Sequence, residues 1–162
     1  ETRHSAFRKT LYNEWYHHPS PELTVLAQAW LSQLPEQKRS KAARKLARKA
    51  PEHLESHLLL AYDAETRGEL LEARGHADEA LAIRESRRAL QLIADIEAEL
   101  HSAEAAAPWY GRANAAPLEE QWVCQACAYT DANWQLFCPR CDSCDSMELS
   151  LPHQPLTQIE KL

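Results

Sequence analysis

The chain has 162 residues, a formal net charge of −6 and 44% apolar residues, with only 7% aromatic and three glycines. That length leaves room for one ordinary domain, or for a helical array with a small appended module, and excludes a large multidomain enzyme. The negative charge argues against a general nucleic-acid binder. No apolar stretch approaches the roughly 18 residues that cross a bilayer, and no basic-then-apolar start resembles a signal peptide.

Scarce glycine and aromatic residues favour packed helices over sheets with many tight turns, so a mainly α protein is expected. Glu1 is the first residue and Met147 the only methionine, so the chain reads as a soluble fragment or a processed form. Residues 1–17, with Phe7, Leu11, Trp15 and Tyr16, are expected to be the second helix of a unit whose first helix lies upstream. His17-His18 precedes a proline turn and reads as a solvated helix end.

Ser20, Pro21 and Glu22 then put a capping residue, a proline and an acid where a helix start wants them. Leu23, Leu26, Ala27, Trp30 and Leu31 follow at the three-and-four spacing of an amphipathic helix. The segment KRSKAARKLARK at 38–49 holds seven of the 18 Lys and Arg residues. It reads as a solvated helix face, with a patch for an acidic partner or anionic lipid headgroups as the alternative. Pro51 and Glu52 open the next unit, whose apolar positions are Leu54, Leu58, Leu59, Ala61 and Tyr62.

Columns recur at an offset of 33 residues. Leu26, Leu59 and Leu92 align, as do Ala61 with Ala94, Ala73 with Ala106, and Ala47 with Ala80 and Ala113, while Pro51 and Pro117 close the first and third units. Antiparallel helices of adjacent units approach closely only where the ridge between them is small, and each pair buries its apolar face on the next. The pattern resembles the tetratricopeptide repeat, a helix–turn–helix unit of about 34 residues. It departs from that repeat in being a residue short, in Gln28 and Ser40 at small-residue columns, and in His76 and Glu97 where aromatics are common. The expected fold is therefore all-α: a tetratricopeptide-like array over residues 1–117, a four-cysteine module over 118–155 and a tail at 156–162.

All five cysteines fall between 124 and 144, and four form two C-x-x-C pairs: Cys124 with Cys127, and Cys138 with Cys141. A disulfide framework would spread its cysteines to staple the whole chain, so this clustering reads as a metal site in a reducing compartment. Two C-x-x-C turns complete a tetrahedral set of four thiolates, which suits a closed structural Zn2+ site, with iron possible at the same four ligands. Ala128 and Asp142 stand where glycine usually follows each pair, at a position that often wants positive φ. Cys144 reads as a spare thiol, with ligand exchange with Cys141 or a reactive role as alternatives. Trp122, Tyr129, Trp134 and Phe137 are expected to be the core of the module or its docking face, and Asp131, Asp142, Asp145 and Glu148 oppose nucleic acid. No Ser/His/Asp set, phosphate loop or H-E-x-x-H helix is present and the histidines look scattered, so no enzyme is expected.

Helical repeats followed by W-x-C-x2-C-x6-W-x3-C-P-x-C and then Asp145-Ser-Met-Glu-Leu-Ser-Leu-Pro152 resemble the C-terminal part of HemY-type tetratricopeptide proteins of bacteria. The likeness extends to Pro51-Glu-His-Leu-Glu-Ser-His57 and to Ser86-Arg-Arg-Ala-Leu-Gln-Leu-Ile-Ala-Asp-Ile-Glu97. The LapB family of lipopolysaccharide assembly proteins is similar in joining such repeats to a rubredoxin-like metal module. These resemblances imply a hydrophobic anchor upstream, a place on the cytoplasmic face of the inner membrane, and an association with late heme biosynthesis or with control of lipopolysaccharide synthesis. They supply no catalytic residues. The expected function is a non-enzymatic scaffold that binds a protein partner on its concave repeat surface. The alternatives are an iron-loaded electron-transfer module, or heme and porphyrin handling through His153 or the Cys138-Pro139 pair.

Overall fold

A computed structural model describes residues 2–116, 121–131 and 134–150. Pro117, His153 and the tail at 156–162, all singled out above, lie outside these residues. The chain divides into two compact units, Glu1–Pro117 and Leu118–Leu162.

The first unit is helical throughout: α1 (Thr2–His17), α2 (Pro21–Ser32), α3 (Glu36–Ala47), α4 (Leu54–Thr66), α5 (Leu70–Ile83), α6 (Arg87–Leu100) and α7 (Ala103–Ala115). Helices α2, α4 and α6 begin at Pro21, Leu54 and Arg87, a constant 33 residues apart, and the residue before each one caps it. Ser20 accepts from the Leu23 N–H and Ser86 from the Ala89 N–H. At the corresponding place in the second copy the His53 ring accepts from the Glu55 N–H. Each cap satisfies one of the donors that a helix start leaves without an intrahelical partner. Helix α4 ends on Gly68 at φ 74, and the Glu69 N–H returns to the Ala64 carbonyl at 2.9 Å. That closure needs the left-handed backbone that glycine adopts freely.

Helices pack in consecutive pairs, α2 with α3, α4 with α5 and α6 with α7, and successive pairs pack on one another through α3 with α4 and α5 with α6. The alanine columns explain how. Ala61 and Ala64 of α4, Ala73, Ala77 and Ala80 of α5 and Ala89 of α6 have no exposed surface, and they share a core with Leu54, Leu58, Leu92, Ile93 and Ile96. Small side chains let the backbones come close, while each fully buried leucine or isoleucine contributes roughly 1.5–3 kcal/mol. A second cluster joins Leu11 and Trp15 of α1 to Ala27, Trp30 and Leu31 of α2, Ala43 and Leu46 of α3 and Leu59 of α4.

Two apolar assignments differ from the expected pattern. Leu26 is 48% exposed although Leu59 and Leu92, in the same column, are buried. The preceding helices α1 to α3 cover Leu59, and among the described residues Leu26 has no earlier helix pair to cover it. Phe7 and Tyr16 of α1 are exposed as well, leaving Leu11 and Trp15 to anchor that helix. The basic segment lies largely on α3, with Ala43, Leu46 and Ala47 inward and Lys38, Lys41, Arg44 and Lys45 outward.

Buried polar groups tie the pairs to one another. Glu55, 2% exposed, accepts from the Thr24 hydroxyl of α2 at 2.6 Å and from both terminal nitrogens of Arg88 on α6. A carboxylate taken out of water persists only with such partners, and here one side chain joins the first helices of three successive pairs. The Trp15 indole N–H donates to Ser56 at 2.9 Å in the same way, fixing α1 to α4.

The second unit holds three short antiparallel strands in the order β2-β1-β3: β1 (Gln121–Cys124), β2 (Thr130–Asp131) and β3 (Met147–Ser150). Trp122 pairs with Asp131 on one side and with Leu149 on the other. Its core is Cys124, Cys138 and Met147, with Trp122, Cys127 and Tyr129 packed against it. Across the described residues no helix is long and apolar enough to cross a membrane.

Candidate metal centre

Each C-x-x-C pair is folded into the same tight turn. In the first, the Ala128 N–H donates to the Cys124 carbonyl at 2.8 Å and the Cys124 N–H to the Tyr129 carbonyl at 2.8 Å. Fourteen residues on, the Asp142 N–H donates to the Cys138 carbonyl at 2.8 Å and the Cys138 N–H to the Ser143 carbonyl at 3.0 Å. Ala128 and Asp142, at the positions where the sequence lacks glycine, both take φ 57. The turn geometry is thus kept at the expense of two residues in the left-handed region, which L-residues enter with a penalty.

The two turns face each other across the sheet end. Sulfur atoms of Cys124 and Cys141 are 3.6 Å apart, as are those of Cys127 and Cys138, and all four lie within 4.8 Å of one another. These distances are too long for a disulfide bond. They are close to the sulfur spacing of about 3.8 Å that follows from tetrahedral metal–sulfur bonds of roughly 2.3 Å. Cys124 and Cys138 are buried, Cys127 is half-buried and Cys141 is exposed, so one edge of the cluster stays open for an ion to enter.

The surroundings favour thiolate at two of the four positions. The Ser146 hydroxyl, 3.2 Å from the Cys124 sulfur, leads the groups that bring this thiol down to about 6, with the Ala126 and Cys127 N–H groups adding to it against burial. Ser143 lowers the Cys141 thiol through its hydroxyl, 3.2 Å away, and through its backbone N–H. Cys127 receives the Tyr129 N–H, which lowers it, but burial and the neighbouring thiols push it up to about 12. Four thiols this close cannot all ionise unless a cation neutralises them. The donor set and its spacing fit a metal ion in tetrahedral coordination, which zinc and iron both accept.

Cys144 is exposed and is bridged through its backbone to Phe137, and it does not join the cluster of four. The aromatic residues, expected in the core of the module or on its docking face, divide. Trp122 and Tyr129 pack on the cysteines, but Trp134 is 47% and Phe137 52% exposed. The buried cysteines and Met147 fill the little interior available, which leaves no room for two more large rings.

The histidines are not all scattered. His57 of α4 and His76 of α5 both point a ring nitrogen at one oxygen of Glu79, at 2.9 and 3.0 Å. The sequence signal that could have found this trio is the three-residue step from His76 to Glu79 on one helix, opposite a histidine on its packing partner. No family model, curated protein or solved structure matches the chain.

Proposed function

We propose that the chain is the repeat-bearing part of a non-enzymatic interaction scaffold, in which tetratricopeptide-like helix pairs bind a partner protein and a structural zinc ion folds the C-terminal rubredoxin-like module. The observation that carries this reading is the 33-residue recurrence of capped helices at Pro21, Leu54 and Arg87, each pair stacked on the next through alanine columns. Arrays of this kind gain stability from neighbour contacts and leave long surfaces free for binding. A groove of about 210 Å³ between α2, α3 and α4, lined by Gln28, Leu31, Arg39, Tyr62 and Asp63 among others, supports it.

Zinc is the preferred metal because four thiolates in a closed turn geometry make a stabilising site with no position for substrate. A module of this size buries too little apolar surface to fold without such help. By the resemblance of its motifs to HemY-type proteins, the scaffold acts at the cytoplasmic face of the bacterial inner membrane, held by an anchor upstream, in the service of heme biosynthesis. A LapB-like role in lipopolysaccharide synthesis is the competing assignment.

The test is capture from inner membranes with the intact protein, beside a variant with Lys41, Arg44, Lys45 and Arg48 reversed to glutamate. A stoichiometric protein partner that the reversal weakens, with helix content and cysteine-bound metal unchanged, supports the reading, since exposed cations govern steering and rim contacts more than the core. Turnover of a porphyrin intermediate by the isolated chain would contradict it.

A further inference from the structure

We propose that His57, His76 and Glu79 form a second metal site, for a zinc-class divalent ion, on the pair α4–α5. The ring nitrogens and the carboxylate oxygen lie within 4.8 Å of one another. His57 Nδ1 and His76 Nδ1 both approach Glu79 Oε2, at 2.9 and 3.0 Å. Ligands bound to one tetrahedral ion at about 2.0–2.2 Å stand roughly 3.3 Å from each other, so the two nitrogens need only small side-chain rotations to take an ion between them and the carboxylate.

The helices hold the trio in place. His76 and Glu79 are three residues apart on α5 and share one face, the spacing by which helical bundles present a histidine and a glutamate to a metal. His57 comes from α4, whose neighbouring Ser56 and Leu58 are buried, and His76 precedes the buried Ala77. An ion pair alone asks for one imidazole, whereas here two imidazoles converge on a single oxygen. The outer ring nitrogen of His76 lies 3.9 Å from Glu72, an ion-pair distance that a small rotation would shorten to a hydrogen bond. A metal-bound histidine characteristically directs its other N–H to a carboxylate, which fixes the ring and strengthens the ligand.

Three protein ligands leave a coordination position open, the arrangement of zinc sites that bind water or a further ligand rather than serving structure alone. Both histidines border a groove of about 370 Å³ that Arg44, Arg48, Ser56 and Leu60 also line. The open position therefore lies beside two cationic side chains, a setting for a carboxylate- or phosphate-bearing ligand of the ion.

The full chain, first loaded with one zinc per cysteine centre, is titrated with Co2+. The site predicts one further equivalent whose visible bands lack the thiolate charge-transfer absorption of a cysteine-bound ion. His57→Ala, His76→Ala and Glu79→Gln should each weaken it at least 10-fold, with helical circular dichroism unchanged because all three side chains are partly or largely exposed. Cys124→Ser, which removes the cysteine centre, should leave this equivalent in place and so separates the two sites. Absence of the second equivalent, its survival in His57→Ala, or a thiolate band accompanying it would overturn the proposal.

Discussion

Replacing Ala128 by glycine should tighten metal binding, because this residue holds φ 57 at the end of the first turn. The left-handed region costs an L-residue roughly 1–2 kcal/mol. Glycine escapes that penalty but loses about 0.4–1 kcal/mol more than alanine to the ordering of its backbone. The difference favours Ala128→Gly by about 0.5–1 kcal/mol, and because a small module folds as it takes up its ion, the gain appears as metal affinity raised about 2–5-fold. Asp142, also at φ 57, should gain less on the same substitution, since aspartate enters this region more readily than alanine. Ala126 lies in the same turn without a positive φ, so Ala126→Gly meets only the entropic term and should weaken binding about 2–5-fold. Competition against a chromogenic chelator measures all three. Ala128→Gly binding more weakly than the parent, or moving in the same direction as Ala126→Gly, would refute the strain argument.

Three further outcomes are expected. Glu55→Ala should destabilise the helical unit by about 3 kcal/mol in urea titrations followed by circular dichroism, near the low end for a broken buried pair because the stranded Arg88 side chain keeps 26% exposure. His53→Ser, which installs the residue found at the other two caps, should add about 0.5–1 kcal/mol and flatten the acid limb of stability. The sign follows from burial, which holds the His53 ring below its ordinary 6.5. The folded state prefers neutral imidazole, so this contribution is present above 6.5 and is lost as pH falls through the lower folded value. Chelation should remove the order of the strands in residues 121–150 with little loss of helical signal, since the helix pairs are stabilised by one another; collapse of the helical signal would show that the repeats depend on the ion.

Helix placement was legible because it rests on local signals. Ser20-Pro21-Glu22 marks a start by capping chemistry alone, and the alanine columns identify close contacts whatever lies across them. Leu26 shows where that legibility stops, since column membership reports helical phase but not whether a neighbour covers the residue. Trp134 and Phe137 show a related limit: aromatic content left core and docking face both open, and a module built on three short strands and two cysteine turns has no interior to receive these two rings. The positive φ at Ala128 and Asp142 was readable from the missing glycines, because the turn imposes its backbone on whatever residue occupies it. The His57, His76 and Glu79 trio was hidden because it depends on the rotation of α5 against α4, which no motif within a single segment encodes. The network of Glu55, Thr24 and Arg88 escaped notice likewise, its members being separated by roughly one repeat.

Elemental analysis of the purified chain beside its five single Cys→Ser variants addresses the metal centre without intermediaries. Three thiolates leave a tetrahedral site open, so the parent and Cys144→Ser should each carry one zinc per chain more than Cys124→Ser, Cys127→Ser, Cys138→Ser or Cys141→Ser, whatever the histidine site holds. Equal loss in all five variants, or iron in place of zinc in the parent, would contradict the assignment of a four-cysteine structural zinc site.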